Sequence, residues 1–174
     1  AVESLATIEG RNPVIEAIKN DREIDKIMIA NSAKEGSIKK IIGMAKEKNI
    51  RLSSTLPDSS LPLCICDKHK IEQLLAILVH NAISYTNEGG AIGVSLKYVK
   101  KRFIISVADS GIGISDEDKK RIFERFYRAD ASHNAKEHFG LGLSIAQSIV
   151  KQHHGKLKVT DTEGGGSTFI VELG

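Results

Sequence analysis

The stretch VADSGIGIS, residues 107–115, runs from an apolar segment into an aspartate and then into two glycines that flank an isoleucine. Its first part predicts the end of a β-strand, because RFIISVAD (102–109) is rich in β-branched and aromatic residues. Gly111 and Gly113 then remove side chains where the chain leaves the strand, which suits a positive φ or a close approach of the backbone to a neighbour. A carboxylate, Asp109, is therefore expected at the edge of a sheet, beside an open stretch of backbone.

This stretch is one of three loops that carry glycines. The others are GLGLS (140–144), which opens a predicted helix, and EGGGST (163–168), which joins the last two predicted strands. Glycines let backbone N–H groups approach a ligand, and a helix N-terminus favours phosphate oxygens. The P-loop pattern G-x-x-x-x-G-K-[ST] does not occur in the sequence, and GLGLS lacks the third glycine of a dinucleotide-binding fold. The three loops together indicate a nucleotide site of another kind.

The apolar pattern predicts an α/β domain around these loops. We expect helices at 68–86, 116–128 and 143–154 and strands at 50–56, 91–99, 102–109, 156–162 and 167–173, with Asp67 capping the first of these helices. Ahead of them the chain alternates as a βαβα segment, with helices at 10–20 and 37–49 and a strand at 23–30. The mixed sheet is expected to have helices on one face only.

Composition indicates the cellular compartment of the protein but does not identify its binding partners. The chain has 174 residues, 41% of them apolar, and a net charge of +3 that is too small to argue for nucleic acid. The longest apolar run, LLAILV (74–79), is far shorter than the roughly 20 residues that span a bilayer. Cys64 and Cys66 are expected to be reduced and structural. We therefore expect a cytoplasmic protein without membrane contact by this segment.

The ordered motifs resemble the ATP-binding catalytic domain of sensor histidine kinases, within the larger family of gyrase, heat-shock-90 and MutL ATPases. The motifs that carry the resemblance are HNAISYT (80–86), DSGIGI (109–114), FERFYR (123–128), GLGLS (140–144) and GGGSTF (164–169). The resemblance covers roughly residues 45–174. It implies a Bergerat-type α/β sandwich over 51–174, with ATP and Mg²⁺ held between the helices and the sheet.

The resemblance also implies roles for individual residues. Asn81 would hold Mg²⁺ and act in catalysis with Arg128, which would grip the transferred phosphate, and Asp109 would accept a hydrogen bond from the adenine amino group. Tyr85 would pack on the nucleotide. The nucleotide contacts implied in full are Asn81, Tyr85, Asp109, Gly111, Gly113, Ile114, Phe126, Gly140, Leu141, Gly142, Leu143 and Thr168.

Three departures from the family pattern bear on the chemistry. Ile77 stands where the gyrase-type ATPases carry the glutamate that activates water, which favours transfer of the phosphoryl group over hydrolysis. Ser84 replaces a frequent lysine or arginine near the phosphates. The segment 129–139 is expected to close over the nucleotide as a lid, and its histidines, His133 and His138, are expected to be solvated rather than metal ligands.

The resemblance implies partners that this sequence does not contain. None of the six histidines stands in the context of a phosphoacceptor, which would be an acidic residue next to it and a downstream threonine-proline. We expect a protein-histidine kinase catalytic domain that needs a phosphoacceptor histidine domain from elsewhere and, in the full system, a response regulator. The resemblance also implies that this segment can be the cytoplasmic part of a membrane-bound sensor. The alternative within the enzymes is an ATPase of the wider family.

The N-terminal part resembles a different family. Residues 7–50 are similar to the substrate-binding domain of ribosomal-RNA ribose 2′-O-methyltransferases, and the motif consists of Gly10, Arg11, Asn12, Pro13, Val14, Glu16 and Ala17. We expect domains at 1–50 and 51–174 and an engineered or natural fusion, or chimera, between them. Lysines 34, 39, 40, 46 and 48 are candidates for RNA phosphates, but RNA binding is disfavoured, because a charged helix face is usually just solvated and aromatic residues for stacking are lacking. An RNA-binding fusion module stays the non-enzyme alternative.

Overall fold

The computed structural model describes residues 35–129 and 140–174. The helix predicted at 10–20, the strand at 23–30 and the lid at 129–139, apart from Ala129, lie outside the described residues. The elements in chain order are α1 (Glu35–Glu47), β1 (Arg51–Thr55), α2 (Lys68–Tyr85), β2 (Ala91–Val99), β3 (Arg102–Asp109), α3 (Asp116–Lys119), α4 (Gly142–Gln152), β4 (Lys156–Asp161) and β5 (Ser167–Leu173).

The five strands form one mixed sheet in the order β1-β2-β3-β5-β4. Only β1 and β2 run parallel, and the other neighbours are antiparallel. Side chains alternate along β5, where Ser167, Phe169, Val171 and Leu173 are buried and the residues between them are half-buried. Helices α2 and α4 pack on each other and on the buried face. The predicted α/β fold, with a mixed sheet covered by helices on one face, is confirmed.

Helix α2 is the centre of the core. Ile71, Leu74, Leu78 and Val79 are buried as the helical spacing predicts, whereas Leu75 is only half-buried. The helix begins after Asp67, whose carboxylate accepts a hydrogen bond from Lys70 N at 3.1 Å, so the predicted cap is confirmed. Because α2 runs from Lys68 to Tyr85, the HNAISYT motif occupies its C-terminal turns, next to the residues that follow β3.

The helix predicted at 116–128 is wrong beyond its first turn. Helix α3 ends at Lys119, and the chain then forms turns as far as Phe126, which has a φ of +64°. The Tyr127 hydroxyl donates back to the Asp118 carboxylate, and the Arg121 guanidinium lies 4.3 Å from the centre of the Tyr127 ring. These contacts require a compact return of the chain, which a straight helix of that length does not allow.

The first described helix shares the core of the sheet. Ile41 and Ala45 of α1 and the following Ile50 are buried in the same cluster as α2, and β1 adds a parallel strand beside β2. Two residues after α1, Asn49 adopts the left-handed region with a φ of +51°, and Ile50 N donates to Ala45 O at 2.9 Å. Residues on both sides of position 50 therefore contribute to one packed unit.

The cysteines are free and buried. A hydrogen bond between the two thiols raises the pKa of Cys66 above its usual range and lowers that of Cys64. Cys66 therefore stays a neutral thiol at physiological pH, consistent with a structural role.

Candidate nucleotide-binding site

Asp109 ends β3 on the helix-facing side of the sheet, where only 4% of its surface is exposed. Its Oδ1 accepts hydrogen bonds from Gly111 N at 2.9 Å and from Ser167 N at 3.2 Å. Burial raises the pKa of this carboxyl group, and the two N–H donors partly offset the effect. Both donors use the same oxygen, so the backbone orients the carboxylate, and among the described residues no hydrogen bond is seen to Oδ2.

The glycine after Asp109 is required by close contact with the end of α2. A Cβ atom on Gly111 would lie 2.2 Å from Tyr85 O and 2.9 Å from Asp109 Oδ1. Tyr85 O also accepts a hydrogen bond from Ile112 N at 3.2 Å. The loop therefore lies directly against the last turn of α2, and Tyr85 lies half-buried beside it.

The third glycine loop closes the other side of Asp109. A Cβ atom on Gly166 would lie 2.0 Å from Asp109 O, and the next residue, Ser167, donates its N–H to the carboxylate. The predicted residue Thr168 is placed differently: it pairs with Ala108 on the opposite face of the sheet, and its hydroxyl lies 2.9 Å from Thr162 Oγ1. The structure thus brings Ser167, rather than the side chain of Thr168, to Asp109.

The remaining residues of the DSGIGI motif continue from this point toward α3. Gly113 has a φ of +76°, and a Cβ atom there would lie 3.8 Å from Gly166 O. Ile114 is half-buried and packs against the core. The first and third glycine loops therefore run side by side.

The second glycine loop is held against the segment before the predicted lid. Gly140, at a φ of +70°, accepts a hydrogen bond from Phe126 N at 2.9 Å, and a Cβ atom on it would lie within 2.9 Å of the Phe126 backbone. Phe126 itself presents an exposed ring, 72% accessible. Contacts therefore fix Gly140 at the entrance to α4.

Helix α4 begins at Gly142 after Leu141, a residue whose side chain cannot cap the helix. Leu143 follows and is half-buried against the core. A Cβ atom on Gly142 would lie 3.4 Å from Ile77 Cγ2. The N-terminal N–H groups of α4 therefore lie beside an apolar side chain of α2, at the position where a gyrase-type base would stand.

Ile77, Asn81 and Tyr85 are spaced four residues apart and share one face of α2. Ile77 is next to Gly142, and Tyr85 is next to Gly111. At 1.5 Å per residue, these two ends are separated by about 12 Å. Asn81, which is half-buried, therefore lies between the two glycine loops.

Two further polar residues, Ser84 on α2 and Arg128 after α3, have distinct surroundings. The Ser84 hydroxyl donates to His80 O at 2.9 Å, so it is directed toward its own helix. Arg128 is half-buried, and its Nε is buried without a hydrogen-bond partner among residues 41–129 and 140–174. A buried guanidinium nitrogen without a partner suits an anion.

Sequence reasoning missed two residues of this site. Ser167 donates to Asp109 through its backbone, for which a side-chain pattern has no signal. The sequence marks Lys48 only as a disfavoured candidate for RNA phosphates, whereas its Nζ donates to Ile83 O, Ser84 O and Thr86 O at the end of α2, at 3.0, 3.1 and 3.2 Å. Its separation from α2 along the chain concealed this contact.

Comparison with known proteins identifies relatives of this arrangement. A family model described as histidine kinase-, DNA gyrase B- and HSP90-like ATPase matches residues 66–174. Sensor protein CiaH of Streptococcus pneumoniae is 43% identical over 110 residues, which are 63% of this chain and 25% of that protein. Sensor histidine kinase WalK of Bacillus subtilis is 38% identical over 133 residues, which are 75% of this chain and 22% of that protein. The chain spans about a quarter of the length of these relatives.

A solved structure agrees with the described fold. The catalytic domain of histidine kinase ThkA superposes with a TM-score of 0.67 and 30% identity, over 79% of this chain and 86% of that one. The similarity to WalK runs over 133 residues, which is more than the range 66–174 contains. Similarity to kinases therefore extends N-terminally past the family match.

The N-terminal part matches a second family model, RNA 2′-O ribose methyltransferase substrate binding, over residues 7–56. The two matched ranges do not overlap. Among the described helices, none combines the length and the hydropathy needed to cross a bilayer.

Proposed function

Because the chain belongs to the family of histidine kinase-, DNA gyrase B- and HSP90-like ATPases, we propose that it binds Mg·ATP as the catalytic domain of a sensor histidine kinase and donates the γ-phosphoryl group to a histidine of a partner domain. The observation that carries this proposal is the face of α2 that joins the two glycine loops. The Asp109 carboxylate of β3 lies near one end of this face, and the N-terminus of α4, which has no side-chain cap, lies near the other.

The adenine ring would lie at the Asp109 end of this face. A buried carboxylate that is held through Oδ1 can accept the exocyclic amino proton of adenine through Oδ2. Guanine carries a carbonyl oxygen at the corresponding position, which would face the carboxylate oxygen and be repelled. Gly111, Gly113 and Ile114 would form the wall beside the base, and the ring of Tyr85 would pack on the nucleotide.

The phosphates would lie at the opposite end, where Gly140, Leu141, Gly142 and Leu143 open α4. Backbone N–H groups at a helix N-terminus bind phosphate oxygens well. Arg128, whose Nε lacks a partner among the described residues, is the side chain proposed to hold the transferred phosphate, with Phe126 near the phosphate entrance.

Asn81 fits a magnesium ligand, because a half-buried amide oxygen between the two loops is the donor type that this hard cation prefers. When bound, Mg²⁺ would neutralise part of the charge of the phosphates. Asn81 would also orient the triphosphate between Asp109 and α4.

Phosphoryl transfer, rather than hydrolysis, follows from the residue at position 77. Ile77 lies against Gly142 and has no group that could take a proton from water. The acceptor would instead be the neutral imidazole of a partner domain. Its unprotonated nitrogen would form a bond to the γ-phosphorus, the bond from that phosphorus to the β–γ bridging oxygen would break with its electron pair leaving on ADP, and the proton on the other imidazole nitrogen would pass to solvent. In the full system a response regulator would receive the phosphoryl group next.

The N-terminal stretch that matches the methyltransferase family has a separate interpretation. We propose that residues 7–50 are joined to the kinase domain as a fusion, and that Lys48 takes no part in RNA binding, because its ammonium group is already bound to α2 carbonyls. We propose a cytoplasmic setting, where ATP is available.

The test is a titration with a fluorescent ATP analogue in Mg²⁺, followed by incubation with a phosphoacceptor hairpin and labelled ATP. Asp109→Asn is expected to weaken binding by about tenfold or more, since the amide NH₂ can face the adenine amino group. Asp116→Asn, a neutralised carboxylate on the exposed surface of α3, is the matched control and is expected to bind normally. Equal affinity of Asp109→Asn and the control would refute the adenine assignment, and absence of label transfer would refute the kinase assignment.

A further inference from the structure

The last four carbonyl groups of α2 accept hydrogen bonds from three parts of the chain. Ala82 O accepts from Thr86 Oγ1 at 2.6 Å, and Tyr85 O accepts from Ile112 N at 3.2 Å. The two carbonyls between them, of Ile83 and Ser84, both accept from Lys48 Nζ. Since the last four carbonyls of a helix have no partner within the helix, Lys48 satisfies half of this set.

Lys48 supplies a charge that α2 lacks. Helix α2 has no basic residue in its own last turn, whereas cations stabilise that end of a helix. Lys48 is half-buried, and its own backbone is fixed because its carbonyl accepts from Gly89 N at 2.8 Å. The contact is thus anchored at both the main chain and the ammonium group.

The turn that Lys48 holds is the one that shapes the base pocket. Tyr85 O lies against Gly111 and binds Ile112 N, and Gly111 N in turn donates to Asp109 Oδ1. A displacement of the last turn of α2 would therefore move the loop and turn the carboxylate. Protein interiors transmit such shifts because they are tightly packed.

We propose that Lys48 is a positioning residue for adenine selectivity, which it controls by holding the last turn of α2 against the loop that orients Asp109. This inference rests on the proposed binding of ATP. Lys48 precedes the range 66–174 that matches the ATPase family and lies within the range 7–56 that matches the methyltransferase family. A residue outside the matched ATPase segment would thus tune its base pocket.

The experiment compares affinities for fluorescent ADP and fluorescent GDP in the full chain. Lys48→Met is expected to reduce the preference for ADP over GDP by about tenfold, which corresponds to about 1.4 kcal/mol. Lys48→Arg, which keeps the charge and several donors, is expected to restore most of the preference. Lys46→Met removes an exposed lysine from the last turn of α1, two residues before Lys48, and is the matched control, with unchanged preference.

A second control separates positioning from general loss of stability. Phe103→Leu loosens the core at the opposite end of β3 from Asp109 and is expected to lower the free energy of unfolding without changing the ADP/GDP ratio. If Lys48→Met folds poorly, Lys48→Gln, which keeps an uncharged donor, is expected to change the ratio in the same direction. A ratio in Lys48→Met and Lys48→Gln equal to that of wild type would overturn the inference.

The two proposals fail in different ways. If the wild-type chain binds neither nucleotide, the proposed function and the role of Lys48 both fall. If the wild-type chain prefers ADP and Asp109→Asn removes the preference, but the Lys48 variants keep it, only the role of Lys48 is refuted.

Discussion

Replacement of Gly111 by alanine tests the contact between α2 and the Asp109 loop. The added Cβ atom would lie 2.2 Å from Tyr85 O, and real Cβ atoms essentially never approach closer than 3.0 Å, so the loop and the helix must separate by at least 0.8 Å, the difference of the two distances. Of the atoms that the added Cβ would meet, Tyr85 O belongs to the backbone, and Asp109 Oδ1 is fixed by hydrogen bonds from backbone N–H groups. Rotation of a flexible side chain cannot relieve this clash.

The displacement has a calculable cost. If the loop moves outward by that amount, the hydrogen bond from Ile112 N to Tyr85 O, now 3.2 Å, lengthens to about 4 Å and is lost. A lost hydrogen bond and overpacking strain together lower the free energy of unfolding by about 2 to 4 kcal/mol. Because Gly111 N also orients Asp109, ADP affinity is expected to fall by about tenfold or more.

Urea denaturation and titration with fluorescent ADP measure the two effects. Gly93→Ala is the matched control: its nearest neighbour would be Ser53 Oγ at 3.5 Å, an ordinary contact, and Gly93 lies on the open face of the sheet. It is expected to change stability by less than about 1 kcal/mol. If Gly111→Ala is as stable as Gly93→Ala and binds ADP as tightly as wild type, the reasoning is refuted.

Three further changes test other parts of the molecule. Gly43→Ala adds a methyl group within α1 where no atom lies within 4 Å, so the free energy of unfolding in urea should rise by about 1 kcal/mol; no change would mean that α1 does not fold with the sheet. Lys100 and Lys101 form the two-residue turn between β2 and β3 with φ of 51° and 63°, so the pair Lys100→Asn and Lys101→Gly should raise the melting temperature, by an amount equivalent to about 1 to 2 kcal/mol; a lower melting temperature would refute the turn. Burial raises the pKa of Asp109, so its ionised form opposes folding and this cost disappears as pH falls through that pKa. Urea denaturation of the ligand-free protein should therefore find Asp109→Asn more stable than wild type at neutral pH, with the difference shrinking at acid pH, and an Asp109→Asn variant that is less stable at neutral pH would contradict this.

Most of the fold could be predicted because its elements have strong local patterns. The apolar stripe of α2 and the β-branched runs of β3 and β5 follow helical and strand periods, and the structure confirms their positions. The resemblance to the ATP-binding catalytic domain of sensor histidine kinases is likewise confirmed by the family match and the kinase relatives. The helix predicted at 116–128 failed because Tyr127 folds back onto Asp118, a contact that no periodic pattern contains.

In the candidate site, too, local motifs could be predicted from the sequence and long-range contacts could not. The glycines, Asp109 and Asn81 stand in recognisable local motifs, so their presence could be identified from neighbouring residues. Their nucleotide roles stay predictions. Ser167 and Lys48 could not be identified, since one acts through its backbone and the other lies 35 residues before its first carbonyl partner, Ile83.

The sequence by itself determined the class of fold, the family of the C-terminal part and the set of polar and glycine residues from which a nucleotide site can be built. These depend on residue type and short spacing. Only the tertiary structure decided that Gly111 lies in close contact with Tyr85 O and that Lys48 donates to the carbonyl groups at the end of α2. It also decided that Thr168 faces away from Asp109, whereas Ser167 contacts it. Such contacts depend on small differences in the distances between elements far apart in the chain, and packing sets those distances only when the whole sheet and its helices have assembled.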